Sequence, residues 1–90
     1  MSKILIVHTK SETACVQCDL TLSTADKEGI ATDPRPGIDT REREAELLTF
    51  KGEHSLSAAP IVEVDDGNGV IIDRWAGFQP LKIKEHAARG

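Results

Sequence analysis

Cysteine, positive charge and long apolar stretches are all scarce in this chain of 90 residues. The longest unbroken aliphatic run, Ile4 to Val7, falls far short of the ~20 residues that a membrane-spanning helix requires, so no membrane role is expected. The formal charge of −4 offers no basic surface for nucleic acid. The first residues lead straight into a strand pattern rather than a secretory leader, and two cysteines are too few for a disulfide scaffold, so a cytoplasmic location is expected. Repeats, low-complexity tracts and linkers are also missing. A chain this short buries only roughly 60 to 65% of its unfolded surface, enough for one core, and residues 1–90 are expected to form a single domain and a monomer.

What is present is a clear succession of elements. "KILIVH" (Lys3 to His8) is a short aliphatic run typical of a strand covered on both faces. From Cys15 the spacing of Cys15, Cys18, Leu22 and Ala25 marks one stripe of a helix, which Gly29 should end. Ile30 to Thr32 can start a strand, but Pro34 and Pro36 remove ladder donors, so that strand should be brief and lie on an edge. "DTREREAELLTFKG" predicts a second helix, with Asp39 as N-cap, Glu42 as its capping-box partner, Ala45, Leu47 and Leu48 as the apolar face, and Gly52 at the end. "PIVEV" and "VIIDRW" predict two strands joined by the hairpin turn "DDGNG". Pro80 opens a short last helix containing Leu81 and Lys84. The order is β, α, weak β, α, β, β, α, with the first strand in the middle of the sheet.

Both cysteines stand two residues apart at the start of the first helix. A thiol there faces unsatisfied backbone N–H groups and the positive end of the helix dipole, which favour the thiolate. Thiols so placed ionise between about 3.5 and 7, against about 8.5 for a free cysteine. Cys15 is therefore expected to be the nucleophile, with Lys10 in the preceding loop as a candidate stabiliser of its thiolate. Cys18, one turn deeper, is expected to be the resolving thiol. Two other readings stand beside this one. Free cysteines also pack as small hydrophobes. One C-x-x-C also supplies two of the four ligands of a structural zinc, and His8, His54 and His86 lack the spacing to complete the set within one chain, so a metal would have to bridge two chains. Neither a metal nor a cofactor is expected.

The element order, the C-x-x-C at the first helix and the Ala-Pro ahead of a late strand resemble the thioredoxin-like fold in its small glutaredoxin form, an α/β fold of βαβαββα order whose four-stranded mixed sheet is flanked by three helices. Within it "CVQC", "AAPIVEV" and "DRWAGFQP" resemble the NrdH-redoxins, which typically read C-[MV]-Q-C, A-P-V-V and W-S-G-F-R-P at these places. The resemblance covers most of the chain. It implies a carrier that takes electrons from NADPH through thioredoxin reductase and restores the disulfide of class Ib ribonucleotide reductase, with Cys15 and Cys18 carrying the exchange. It also implies that Pro60 is cis, that the backbone of Ala59 pairs with an extended substrate segment, and that Val16, Gln17, Ala59, Pro60, Trp75, Ala76, Gly77 and Phe78 form the substrate-binding surface. Trp75 has an equally plain reading as core packing.

The chain departs from the family pattern in three places. "TKSETAC" is two residues longer than the usual T-K-P-x-C approach and lacks its proline, Gln79 replaces a frequent Arg, and "TDPRPG" lengthens the second strand region. A glutathione-dependent glutaredoxin is the alternative. Against it, Val16-Gln17 lacks the aromatic of C-P-Y-C sites, Ala58-Ala59 replaces Thr-Val before the proline, and Arg74 is the only cation of the late loop.

Three further features have ordinary explanations. Glu42, Glu44 and Glu46 alternate with Arg41 and Arg43 as on a solvated helix, although a basic partner could dock there. Asp65-Asp66 reads as turn chemistry rather than a calcium site. His8 ends the first strand, where it either packs or tunes the thiolate.

Overall fold

The structure, a computed structural model, describes residues 2–89. Its centre is β1 (Ile4–Thr9), hydrogen-bonded on both sides, parallel to β2 (Ala31–Pro36) and antiparallel to β3 (Ile61–Asp65). β4 (Ile71–Ala76) pairs antiparallel with β3, so the sheet runs β2-β1-β3-β4. The register sets Val7 opposite Val62, Leu5 opposite Val64 and His8 opposite Ile61. Because side chains alternate along a strand, Leu5, Val7, Val62 and Val64 share one face of the sheet, while Ile61 and the side chain of His8 lie on the other.

Helices α1 (Val16–Glu28) and α3 (Pro80–Arg89) cover the first face. There Ala25, Ile30, Trp75 and Ile83 join the four strand residues in the main cluster, with Leu22, Phe78 and Ala87 packed against it. The full burial of Ile83 contributes about 2–3 kcal/mol. α2 (Glu44–His54) covers the second face through Phe50, beside Ile38 and Ile61. α1 ends as expected at Gly29, where φ of 76° lets the chain turn out of the helix and the Ile30 N–H reach back to the Ala25 carbonyl at 3.0 Å. Among the described residues no helix is long and apolar enough to cross a membrane.

Three expectations are corrected. β2 is on the edge as predicted, but it is six residues long rather than brief. Pro34 and Pro36 are two apart and therefore share a side of the strand, and with β1 still paired that side is the outer one, where no donor is needed. The second helix does not start from Asp39: a 3-10 turn at Arg41–Arg43 intervenes, and the helix runs through Gly52 to stop at Ser55, in the left-handed region at φ 57°. Its apolar face is also different. Ala45 is exposed, Leu48 is 58% exposed, Leu47 is half-buried and Phe50 supplies the contact.

Candidate functional site

Cys15 is the N-cap of α1, with φ −137° and ψ 91°, and its sulfur accepts a hydrogen bond from the Cys18 N–H at 3.2 Å. The two cysteines form a disulfide across Cα atoms 5.2 Å apart. Cys15 is half-exposed, whereas Cys18 is only 2% exposed. An incoming group therefore meets Cys15 first, and on reduction that sulfur lies where the first-turn N–H groups of α1 favour an anion. Such a pair is a redox couple able to cycle between dithiol and disulfide.

The approach loop is anchored in a way the sequence did not suggest. Asp39, expected to cap a helix, instead accepts from the N–H groups of Ser11 at 2.8 Å and Glu12 at 3.0 Å, while the N–H groups of Gly37 and Ile38 both donate to the Thr9 carbonyl. The Ser11 N–H is the main reason the Asp39 carboxyl is held below its ordinary value, and Lys10 adds to the effect from nearby. The exposed Lys10 thus acts electrostatically on Asp39.

Ahead of β3, the Ala59–Pro60 peptide bond is cis, Pro60 is fully buried and Ala59 is half-buried. The Pro60 carbonyl accepts from the Gly77 N–H at 2.8 Å, while Ala59 makes no backbone hydrogen bond among the described residues. Val16 is 69% exposed beside the cysteines. Gln17 Oε1 accepts from the Phe78 N–H at 3.0 Å, so the first turn of α1 touches the loop after β4.

The residues Trp75 to Phe78 do not present one surface. Trp75 is 3% exposed and lies in the core between sheet and α3, stacked on His86 at 5.9 Å with the Lys82 ammonium 5.3 Å from its ring centre. This burial fits the packing reading of Trp75. Its Nε1–H has no acceptor among the described residues. Phe78 packs partly into the same cluster, and the half-buried Ala76 uses its carbonyl to accept from Gln79 Nε2 at 3.1 Å. Gly77 remains at the site through its backbone.

His8 does not point toward the cysteine helix. It is 1% exposed on the α2 face, its ring 5.1 Å from that of Phe50 and tilted against it at 55°. Its Nδ1 meets Arg43 Nη2 at 2.6 Å and its Nε2 meets Glu63 Oε1 at 2.9 Å. Since guanidinium can only donate, Nδ1 accepts and Nε2 carries the proton toward Glu63. Arg74 Nε closes the chain on Glu63 at 3.0 Å, and Arg43 forks onto Glu46, which lowers the Glu46 carboxyl. Glu63, a carboxylate in a largely buried strand, is a signal that points to such a network. The structure therefore pairs the exposed Glu46 with Arg43 of the same chain. Among the described residues no group of three or more His, Cys, Asp or Glu is gathered as metal ligands.

No protein-family model matches the chain, and no curated protein sequence matches it. Solved structures do. The glutaredoxin-like NrdH-redoxin of Escherichia coli, described as having a thioredoxin-like activity profile, superposes with a TM-score of 0.60 at 24% identity, covering 91% of this chain and 92% of that one. Fasciola hepatica thioredoxin gives 0.62 at 18% identity, covering 98% and 80%. A glutaredoxin of Archaeoglobus fulgidus gives 0.60 at 22% identity, covering 99% and 87%. These likenesses establish the thioredoxin/glutaredoxin-like fold, with its four-stranded mixed sheet and three helices, in agreement with the sequence resemblance.

Proposed function

We propose that this protein is a small dithiol–disulfide oxidoreductase of NrdH-redoxin type, taking electrons from NADPH through thioredoxin reductase and delivering them to a protein disulfide, with class Ib ribonucleotide reductase as the acceptor that the CVQC, AAPIVEV and DRWAGFQP motifs favour. It acts as a monomer in the reducing cytoplasm. One observation carries the reading: the half-exposed Cys15 caps the helix whose first turn buries Cys18, in a disulfide already closed between them.

In the reduced protein the Cys15 thiolate attacks one sulfur of the substrate disulfide. That bond breaks, a mixed disulfide to Cys15 forms, and the other substrate sulfur leaves as a thiolate and takes up a proton. Cys18 then loses its proton and attacks Cys15 Sγ, closing the Cys15–Cys18 disulfide and releasing the second substrate thiol. The substrate gains two electrons and two protons, and the reductase returns them to the protein. The first-turn N–H groups supply the thiolate stabilisation. The backbone of Ala59, unpaired among the described residues, is free to join an extended substrate segment.

The test is a coupled assay with insulin as disulfide, run in parallel with NADPH plus thioredoxin reductase and with glutathione plus its reductase. NADPH oxidation through thioredoxin reductase, lost in Cys15→Ser, supports the reading, as does a trapped mixed disulfide in Cys18→Ser. Turnover with glutathione alone would instead make the protein a glutaredoxin, and full activity of Cys15→Ser would refute the assigned roles.

A further inference from the structure

Between the two cysteines stands a side chain with two chemically different ends, of which the chain itself uses one. A backbone N–H only donates, so the Gln17 group facing the Phe78 N–H at 3.0 Å is the amide oxygen, and the NH₂ end lies on the opposite branch. Gln17 is exposed, and among the described residues its Nε2 meets no acceptor. Gly77 makes the contact feasible: its φ is +80°, and a Cβ there would lie 3.1 Å from Gln17 Oε1. The Gly77 N–H in turn holds the Pro60 carbonyl at 2.8 Å. Two hydrogen bonds thus connect the cysteine helix, the loop after β4 and the segment carrying Ala59.

We infer that Gln17 has two roles in the reduction of a protein disulfide: its Oε1 positions the Gly77–Phe78 loop, and its Nε2 donates to a main-chain carbonyl of the peptide that flanks the substrate cystine. The inference rests on the disulfide-reductase reading above and names the substrate feature that the site recognises. A sulfur joined to Cys15 brings the adjoining peptide groups within one or two residues, at ~3.3 Å each, of the dipeptide between the cysteines. The polar donor of Gln17 and the apolar surface of Val16 then lie side by side under that peptide. A small disulfide with no peptide carbonyl gains nothing from the donor.

The experiment uses the full chain, reduced with dithiothreitol and then freed of it, mixed in stopped flow with insulin or with the neutral 2-hydroxyethyl disulfide. Gln17→Glu keeps an oxygen for the Phe78 N–H but has no donor, whereas Gln17→Ala loses both functions. The ratio of the insulin rate to the small-disulfide rate is expected to fall about 3- to 10-fold in both variants, the usual effect of one lost hydrogen bond. Any effect of the new charge on the Cys15 thiolate acts on both substrates and cancels in the ratio. Amide hydrogen exchange at Phe78 is expected to quicken in Gln17→Ala and to stay slow in Gln17→Glu. An unchanged ratio in Gln17→Glu overturns the donor role, and unchanged Phe78 exchange in Gln17→Ala overturns the positioning role. A wild type that reduces neither disulfide faster than an equal concentration of dithiothreitol overturns the functional reading itself and this inference with it.

Discussion

On the face of the sheet beneath α1 and α3, the cluster from Leu5 to Ile83 is aliphatic and aromatic throughout. Beneath α2, three apolar residues share the space with a chain of polar groups, Glu46–Arg43–His8–Glu63–Arg74. The first face is held by area removed from water, which tolerates small shifts. The second depends on donors and acceptors meeting at defined distances, and the loss of one member strands its neighbours. The thin apolar contact of α2, essentially Phe50 with Leu47 in support, explains why the polar chain matters there.

The largest effect that separates the faces is expected from Trp75→Ala, which empties the centre of the apolar side and should cost about 3–5 kcal/mol in denaturant unfolding. Trp75→Phe should cost less, because it also removes an indole N–H without an acceptor. If the alanine variant lost under 1 kcal/mol, the claim that this face rests on packing would fail.

A smaller loss, about 2 kcal/mol, is expected from His8→Ala, which leaves Glu63 and Arg43 without their shared partner in a nearly buried setting. The comparison sharpens in the double variant His8→Leu/Glu63→Leu. If the polar chain acts as a unit, the double loss is smaller than the sum of the two single losses. Strict additivity would mean that the groups are merely neighbours.

Acid provides the mildest probe. Arg43 chiefly lowers the Glu46 carboxyl, and the Ser11 N–H chiefly lowers that of Asp39. A carboxyl whose folded value lies below its unfolded one stabilises the fold above the unfolded value, and the contribution drains away as pH falls through the folded one. The ordinary values are 4.5 for Glu46 and 3.8 for Asp39, so both contributions are complete near neutrality and disappear only below those values. Asp39→Asn should flatten part of this acid slope and quicken amide exchange at Ser11 and Glu12 at neutral pH. An acid profile identical to wild type would remove Asp39 from the account.

How much of this was legible follows from what kind of signal each element carries. The apolar run of β1, the Gly29 stop, the DDGNG hairpin and the spacing of Cys15 and Cys18 are local patterns, and each reappears where it was read. Asp39 satisfied every local rule for a cap, yet its carboxylate answers to amides 27 and 28 residues earlier in the chain. The prolines of β2 looked disruptive because sequence alone does not say which side of a strand is unpaired. Trp75 could be placed either outside or inside until α3 supplied His86 and Lys82 to enclose it. At the site, the cysteine pair was plain from sequence, but the contact of Gln17 with Phe78 spans 61 residues and has no local signature.

The grip of Asp39 on Ser11 and Glu12 bears on how this chain tolerates extra length. A longer lead-in to a reactive group would ordinarily swing as a slack tether and blur that group's aim. Here the added slack is buttoned to a neighbouring strand exit, so its two ends can be lengthened or exchanged independently. A graft of new loop residues around that button should leave the sulfur's position untouched, which makes the segment a place where length can vary without disturbing the cysteine pair.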